Sequence, residues 1–495
     1  MRQKLIPCFL AGALAFTGAI GASVLPVDQA FGAVSGDKVK IDGRVAIRGE
    51  YRNNANFGSS GVSSTHSFVV QNTQLGLGYD ITPDLGFYIL MQDSRAWGGQ
   101  STGTTNVAGT GAPVNGIGFN TVGGIHGNSF GIREGYISVR NLFNKKLNAK
   151  IGRQKLVFGN QRIFGHFDWS NVGWSFDGVR LDYSSSKKSS HVLGWFRMAE
   201  DDCGSPTSLC QGGSATNGGR DSDFLLFYNT FKNIPKHTIE PYWIYVFDGR
   251  ANTGHTTGGV TNGGTRRIQP DQKRHTLGLR VNGKPGIVDY TGEFVWQLGR
   301  QKNGVGGENT INAVALAMNA GVTLPVPMKP RIAFEFDYAT GSGANRGGTG
   351  GRSTFENLWP TNHLHYGYMD LVGWKNNMSF GPQFSMKPSK NGTFKVHFWW
   401  HRLADADDNW YNAGQGVQGV TRAGNDEKEL GNELNIVYVH KLFGGKSTLN
   451  VGYGHFFTGD YIKKSNGGAG AGQGASNIND DDDQDWGYIW WITKF

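Results

Sequence analysis

The stretch Val39-Lys40-Ile41-Asp42-Gly43-Arg44-Val45-Ala46-Ile47-Arg48-Gly49-Glu50-Tyr51 decides the fold. Val39, Ile41, Val45, Ile47 and Tyr51 alternate with Lys40, Asp42, Arg44, Arg48 and Glu50. A period of two means a β-strand with one apolar and one charged face. A soluble sheet could carry one such strand. Alternating segments recur along the whole chain, with 12% aromatics and 76 glycines in 495 residues, about twice the roughly 7% usual for Gly. That combination predicts an all-β transmembrane barrel, apolar toward lipid and charged toward a wet lumen.

Upstream of this strand, Arg2 and Lys4 head an apolar run, Leu5 to Val24, which exits through Ala30, Gly32 and Ala33. That order of charge, apolar core and small residues reads as a secretory signal. Residues 1–33 are expected to be cleaved, leaving 34–495 as one outer-membrane barrel domain. No other segment approaches the roughly 20 apolar residues of a membrane helix. Cys8 leaves with the signal. Cys203 and Cys210 remain, and export to an oxidising compartment lets them close a small loop as a disulfide or stay as two thiols.

Downstream, short and long connections alternate. His66–Asp80 and Leu85–Trp97 flank a tight turn, and Gly98–Asn128 is long. Ser129–Asn141 and Leu147–Lys155 flank the turn Leu142–Lys146, and Leu156–Gly173 is long. Tight periplasmic turns and long extracellular loops give this rhythm. Counting on to the terminal Asp485–Phe495 gives nineteen segments only if Tyr366–Lys375 is a strand, and that would put the loop Leu403–Lys428 on the periplasmic side. Placing Tyr366–Lys375 in a loop leaves eighteen, the even number expected of a bacterial single-chain barrel and enough for an aqueous channel. Trp486, Tyr488, Trp490, Trp491 and Phe495 make the last strand aromatic, and with Phe398, Trp399 and Trp400 they read as girdle residues at membrane interfaces. A final strand ending in Phe resembles the assembly signal of such barrels.

The formal charge of +9 falls to +8 once Arg2, Lys4 and Asp28 leave with the signal, which points to an anionic partner. Nucleic acid is not that partner, because the cations lie singly along strands. Face parity selects the lumen candidates: Lys40, Arg44 and Arg48 on the first strand; Glu134, Tyr136 and Arg140 on the fourth; Lys150 opposite Ala149 and Ile151; Arg180 opposite Val179 and Leu181; Arg331 and Glu335 opposite Ile332 and Phe334. An Arg or Lys facing lipid at the midplane would cost about 2–4 kcal/mol, so the lumen is where these charges belong. Arg133 and Arg153 fall on the apolar parity and need a bulge or a place at the rim. Asp480 to Asp483 crowd the last loop, as a solvated loop or, less simply, a divalent-cation site. His363, His365, His397 and His401 form no metal set. No nucleophile elbow, helix-borne zinc motif or phosphate loop is present, so neither an enzyme nor a cofactor is expected.

Three blocks go beyond generic barrel features: Ile151-Gly152-Arg153-Gln154 leading to Arg162–His166; Trp169-Ser170-Asn171-Val172-Gly173-Trp174-Ser175-Phe176-Asp177-Gly178-Val179-Arg180-Leu181; and Trp359-Pro360-Thr361-Asn362-His363 with His365-Tyr366-Gly367-Tyr368-Met369-Asp370. They resemble the alginate-export family of outer-membrane proteins. The resemblance implies an eighteen-stranded monomer whose Arg-rich constriction, narrowed by inward loops, passes anionic polysaccharide. It favours Arg153 and Asp177 as further lumen residues and marks Trp169, Asn171, Pro360, Asn362, His363 and Asp370 as loop-motif residues. It also implies that the Trp359–Lys375 block is an ordered loop near the extracellular mouth.

The sequence therefore predicts a passive outer-membrane channel for an alginate-like polyuronate. Arg, always charged and with a planar fork, suits carboxylates, and rings of Arg or Lys select anions. The expected surroundings are outer-membrane lipid and lipopolysaccharide, with periplasmic delivery proteins as partners. A selective uptake porin, or a barrel sheathing a surface partner, is the alternative.

Overall fold

The computed structural model describes residues 38–54, 57, 65–97, 129–199, 222–248, 272–302, 308–343, 353–419, 425–465 and 481–495. Cys203, Cys210 and Asp480, like the signal segment, lie outside the described residues. The chain divides into two units, Met1–Lys40 and Ile41–Phe495, and the second carries the barrel.

Eighteen strands form one antiparallel sheet. In chain order they are β1 (Val39–Asn53), β2 (His66–Asp80), β3 (Leu85–Ala96), β4 (Ser129–Asn141), β5 (Leu147–Gln154), β6 (Phe176–Ser186), β7 (Ser189–Ala199), β8 (Ser222–Phe231) and β9 (His237–Asp248). There follow β10 (Gln272–Gly283), β11 (Val288–Lys302), β12 (Glu308–Thr323), β13 (Arg331–Ala339), β14 (Asn377–Met386), β15 (Gly392–Arg402), β16 (Glu429–Leu442), β17 (Ser447–Thr458) and β18 (Gln484–Lys494). Each strand pairs with the next, and β18 returns to β1, with Arg44 opposite Lys494 and Asn53 opposite Asp485. Closure leaves no free sheet edge. Residues 366–375 are not a strand, so eighteen is the right count. Within the connection from β15 to β16, Trp410–Tyr411 and Val417–Gly419 pair as a small separate ladder.

Alternation separates two environments. Ile89, Leu193, Phe294, Phe334 and Ile489 stand exposed on the outer face, a state that fits lipid and not water. Aromatic residues mark both rims of that face: Tyr51, Trp97, Phe247 and Phe457 at the long-connection end, and Tyr183, Trp491 and Phe495 at the short-turn end. One girdle assignment needs correction. Trp486 and Tyr488 are buried and point inward with Trp490, meeting a ring carried into the lumen. Trp399 is also buried inward, and its neighbour Trp400 faces out. Aromatics on both parities of a strand hide the period of two, so the sequence could not tell these apart.

Candidate functional site: a lumen narrowed by two pinned segments

Two connections fold into the barrel and hold each other: residues 155–175 between β5 and β6, and 353–376 between β13 and β14. Trp359 N–H donates to the Ile163 carbonyl at 2.9 Å, Gly165 N–H to the Trp359 carbonyl at 2.9 Å, and Thr361 N–H to the Gln161 carbonyl at 2.9 Å. Phe164 stacks on Trp359 with centroids 5.0 Å apart. These rings join Phe176 and Phe224 of the wall in an apolar cluster. Trp359 thus packs at the long-connection ends of β6 and β8, as expected of a loop near the mouth, and the block reaches deeper at Tyr368, whose N–H donates to Asn435 of β16 at 3.2 Å.

The first segment is tied to β1–β4. Arg44 donates to Asp168 at 2.9 Å. Arg133 donates to Asp168 at 3.2 Å and to the carbonyls of Val172 and His166 at 2.6 and 2.7 Å. Arg133 reaches inward through a β-bulge, since Leu90 pairs with Glu134 and Met91 with Ile132, and an extra residue re-aims its side chain. Asn72, Ser94 and Gln92 donate to the carbonyls of Asn171 and Val172. Burial would raise the Asp168 carboxyl, but Arg44, His166 and Arg133 outweigh it and hold the group below its ordinary range. Burial pushes His166 down.

On the other side, Arg162 donates to Tyr366 Oη at 2.6 Å and lies 2.9 Å from Asp337 and against Glu335 of β13. Burial alone would lower the Arg162 guanidinium, and Asp337, Tyr366 and Glu335 together raise it instead. His365 Nε2 lies 3.0 Å from the Asn160 carbonyl. Burial first, then Arg162, hold this imidazole well below its ordinary value.

Between the two ties stands a stack. Trp169 lies flat on His363, centroids 3.6 Å apart and planes 4° apart. The Arg48 guanidinium carbon sits 3.7 Å from the Trp169 ring centroid. Arg48 donates to the Trp169 carbonyl and to Glu50, both at 2.6 Å. Glu50 also accepts from Trp486 Nε1 at 2.9 Å. His363 Nδ1 meets Asp370 at 2.9 Å. Arg52 donates to the Met369 carbonyl at 3.0 Å, and Met369 N–H donates to Glu433 at 2.9 Å.

The sequence candidates sort by face. Arg44, Arg48, Glu134, Arg140, Lys150, Arg180, Arg331 and Glu335 lie on inward positions of their strands, and most have an opposite charge beside them: Arg140 with Asp80, Arg180 with Asp182, Arg331 with Asp289, and Glu134 with Lys155. Lys150 Nζ donates to Tyr136 Oη at 3.3 Å. Lys40 shares their parity, is exposed and belongs to the first unit. Arg153 and Asp177 are a correction. They pair with each other at 2.7 Å, half exposed, on the parity of the outward Ile151 and Val179 at the long-connection rim. No bulge intervenes in their ladder, so they do not line the lumen. Trp169, Asn171, Pro360, Asn362, His363 and Asp370 are all buried in the inward segments. Asp168 and Arg52 emerge as anchors that sequence parity alone did not single out, while Asp337 shares the polar face of Arg331 and Glu335. Among the described residues no cluster of His, Cys, Asp or Glu could hold a metal ion.

A model of the family described as alginate export matches residues 37–475. Among solved structures, the chain is similar to OprD of Pseudomonas aeruginosa, at 12% identity over 96% of this chain and 99% of that one, TM-score 0.52. It is similar to OccAB1 of Acinetobacter baumannii, at 12% identity over 92% and 96%, TM-score 0.53. It is also similar to OccK5 (OpdH) of Pseudomonas aeruginosa, at 11% identity over 94% and 100%, TM-score 0.52. At such identities the likeness concerns the fold. Comparison with curated protein sequences gives no match.

Proposed function

Because this chain belongs to the alginate-export family of outer-membrane barrels, we propose that it passes an anionic polysaccharide, a polyuronate of the alginate type, passively across the bacterial outer membrane. The observation that carries this reading is the inward cation face of β1, β4, β5 and β6 beside the pinned segments. Arg44, Arg140, Lys150 and Arg180 share that wall. A polyuronate bears one carboxylate per sugar, and fixed guanidinium groups attract it. The carboxylates beside Arg140 and Arg180 compete for each cation, so the polymer is attracted without being held. The barrel acts as a monomer in lipid and lipopolysaccharide, with periplasmic proteins delivering the polymer.

The test is reversal potential and current block in planar bilayers. Anion preference together with block by oligouronate supports the reading; an unselective, unblocked pore sinks it. A second reading, a selective uptake porin, draws on the same ion pairs. Arg140–Asp80, Arg180–Asp182 and Arg331–Asp289 make a wall of alternating sign, which suits a small zwitterionic solute. Block by such solutes, and not by oligouronate, would favour it.

A further inference from the structure

Trp490, one of the aromatics that a girdle would have claimed, ends an arc of inward rings. From β18, Trp490 meets Trp169 edge to face with centroids 5.2 Å apart. Trp169 lies on His363 at 3.6 Å, His363 meets Tyr368 at 5.3 Å, and Tyr368 stacks on His397 of β15 at 5.5 Å. Trp169 and His363 are the buried middle of the arc. Trp490, Tyr368 and His397 are only partly buried, so ring surface remains open to the lumen on the short-turn side of the stack.

The wall leaves room for the groups beside these rings. β17 carries glycine where β16 and β18 crowd inward. A Cβ on Gly452 would stand 2.1 Å from Tyr488, and one on Gly454 2.7 Å from Met369, the residue after Tyr368. Tyr368 N–H donates to Asn435 at 3.2 Å, which fixes the turn that presents its ring. Two residues from His397 on the same inward face stands Lys395, nearer the short-turn end. Among the described residues it has no ion-pair partner, whereas the inward arginines nearby are paired.

We infer that Trp490, Tyr368 and His397, with Lys395, form a sugar-docking ledge on the short-turn side of the constriction, for pyranose units that carry a carboxylate. The flat faces of a pyranose are lined with C–H bonds and pack on aromatic faces, which are electron-rich. A carboxylate at the sugar edge meets the unpaired ammonium of Lys395. An apolar arc alone would take any apolar ligand; the free cation beside it selects an acidic sugar. The inference deepens the proposed function and rests on it for the acidic character of the ligand.

The experiment uses the full barrel in planar bilayers, with a hexameric oligouronate and a neutral oligohexose of equal length as blockers. Tyr368→Ala and His397→Ala are expected to weaken block by oligouronate at least tenfold at unchanged anion preference. Tyr368→Phe, which keeps the ring, should retain block and shows that the turn still folds. Lys395→Gln should weaken block by oligouronate and leave block by the neutral sugar unchanged. Oligouronate block that survives Tyr368→Ala and His397→Ala overturns the ledge and leaves the channel reading standing. Ring-dependent block by the neutral sugar alone upholds the ledge as a sugar site and overturns the acidic reading. No block by either sugar overturns the ledge.

Discussion

The Arg162 guanidinium, carried inward after β5, lies 2.9 Å from the Asp337 carboxylate of β13, and neither side chain is more than 1% exposed. The pair joins an inward segment to the wall opposite the one that Asp168 grips. A segment held at both walls is a fixed constriction. Removing one partner of a buried pair leaves an uncompensated charge and costs about 3–5 kcal/mol, far more than a surface contact.

Arg162→Ala is therefore expected to loosen the plug more than the barrel. Asp337 and Glu335 would be left facing each other without a cation. Single-channel conductance should rise and become noisy, while the folded barrel persists in heat-modifiability gels. Unchanged conductance would mean that the aromatic zipper of Phe164 and Trp359 holds the segment unaided.

Gly173→Ala tests the other tie. Gly173 has φ +69°, and a Cβ there would lie 2.2 Å from Arg133 Nη2. A left-handed backbone costs a residue with Cβ roughly 1–2 kcal/mol. Displacing Arg133 also breaks its bonds to Asp168 and to the carbonyls of Val172 and His166. The expected result is a lower transition temperature by circular dichroism, with frequent flickering of the open current. A silent substitution would show that Arg133 finds equivalent partners.

How legible this was depends on what each residue's neighbours are. Barrel, strand number and most inward charges follow from parity, because lipid and water sort side chains without reference to distant contacts. Arg133 could be flagged as out of phase, and the bulge at Leu90 and Met91 supplies the reason. Arg153 carries the same flag with the opposite outcome, since its ladder to Asp177 is regular and the pair stays outside. The anchors Asp168 and Arg162 lie in irregular segments with no period to read; Arg44 is 124 positions from Asp168, and Glu335 is 173 from Arg162. Trp486, Tyr488 and Trp490 looked like lipid-interface residues because nothing in their own strand records the arrival of Trp169.

That contrast gives a selectivity prediction. Lys150→Glu places a negative charge on the inward wall beside Arg180 and is expected to reduce anion preference several-fold by reversal potential. Arg153→Ala should leave it unchanged, because an exposed pair at the outer rim contributes about 0–1 kcal/mol and faces away from the ion path. Equal effects from both would place Arg153 in the lumen after all.

Acid should release the inward segments in two stages. His365 and His166 are held below their ordinary value of 6.5, so the segments favour neutral imidazoles. Above pH 6.5 that contribution is complete. As pH falls below 6.5 a released segment takes up protons that the pinned one refuses, and the pinned state loses ground. The Asp168 carboxyl is held below its ordinary 3.8. Its ties to Arg44 and Arg133 are complete above pH 3.8 and are lost only as pH falls from there through the depressed value. Opening frequency of single channels should accordingly climb below pH 6.5 and climb again below pH 3.8. His365→Asn should remove most of the first rise, and Asp168→Asn should raise opening at neutral pH while abolishing the second. A flat opening frequency from pH 7 to pH 3 would show that neither histidine nor Asp168 governs how firmly the segments are held.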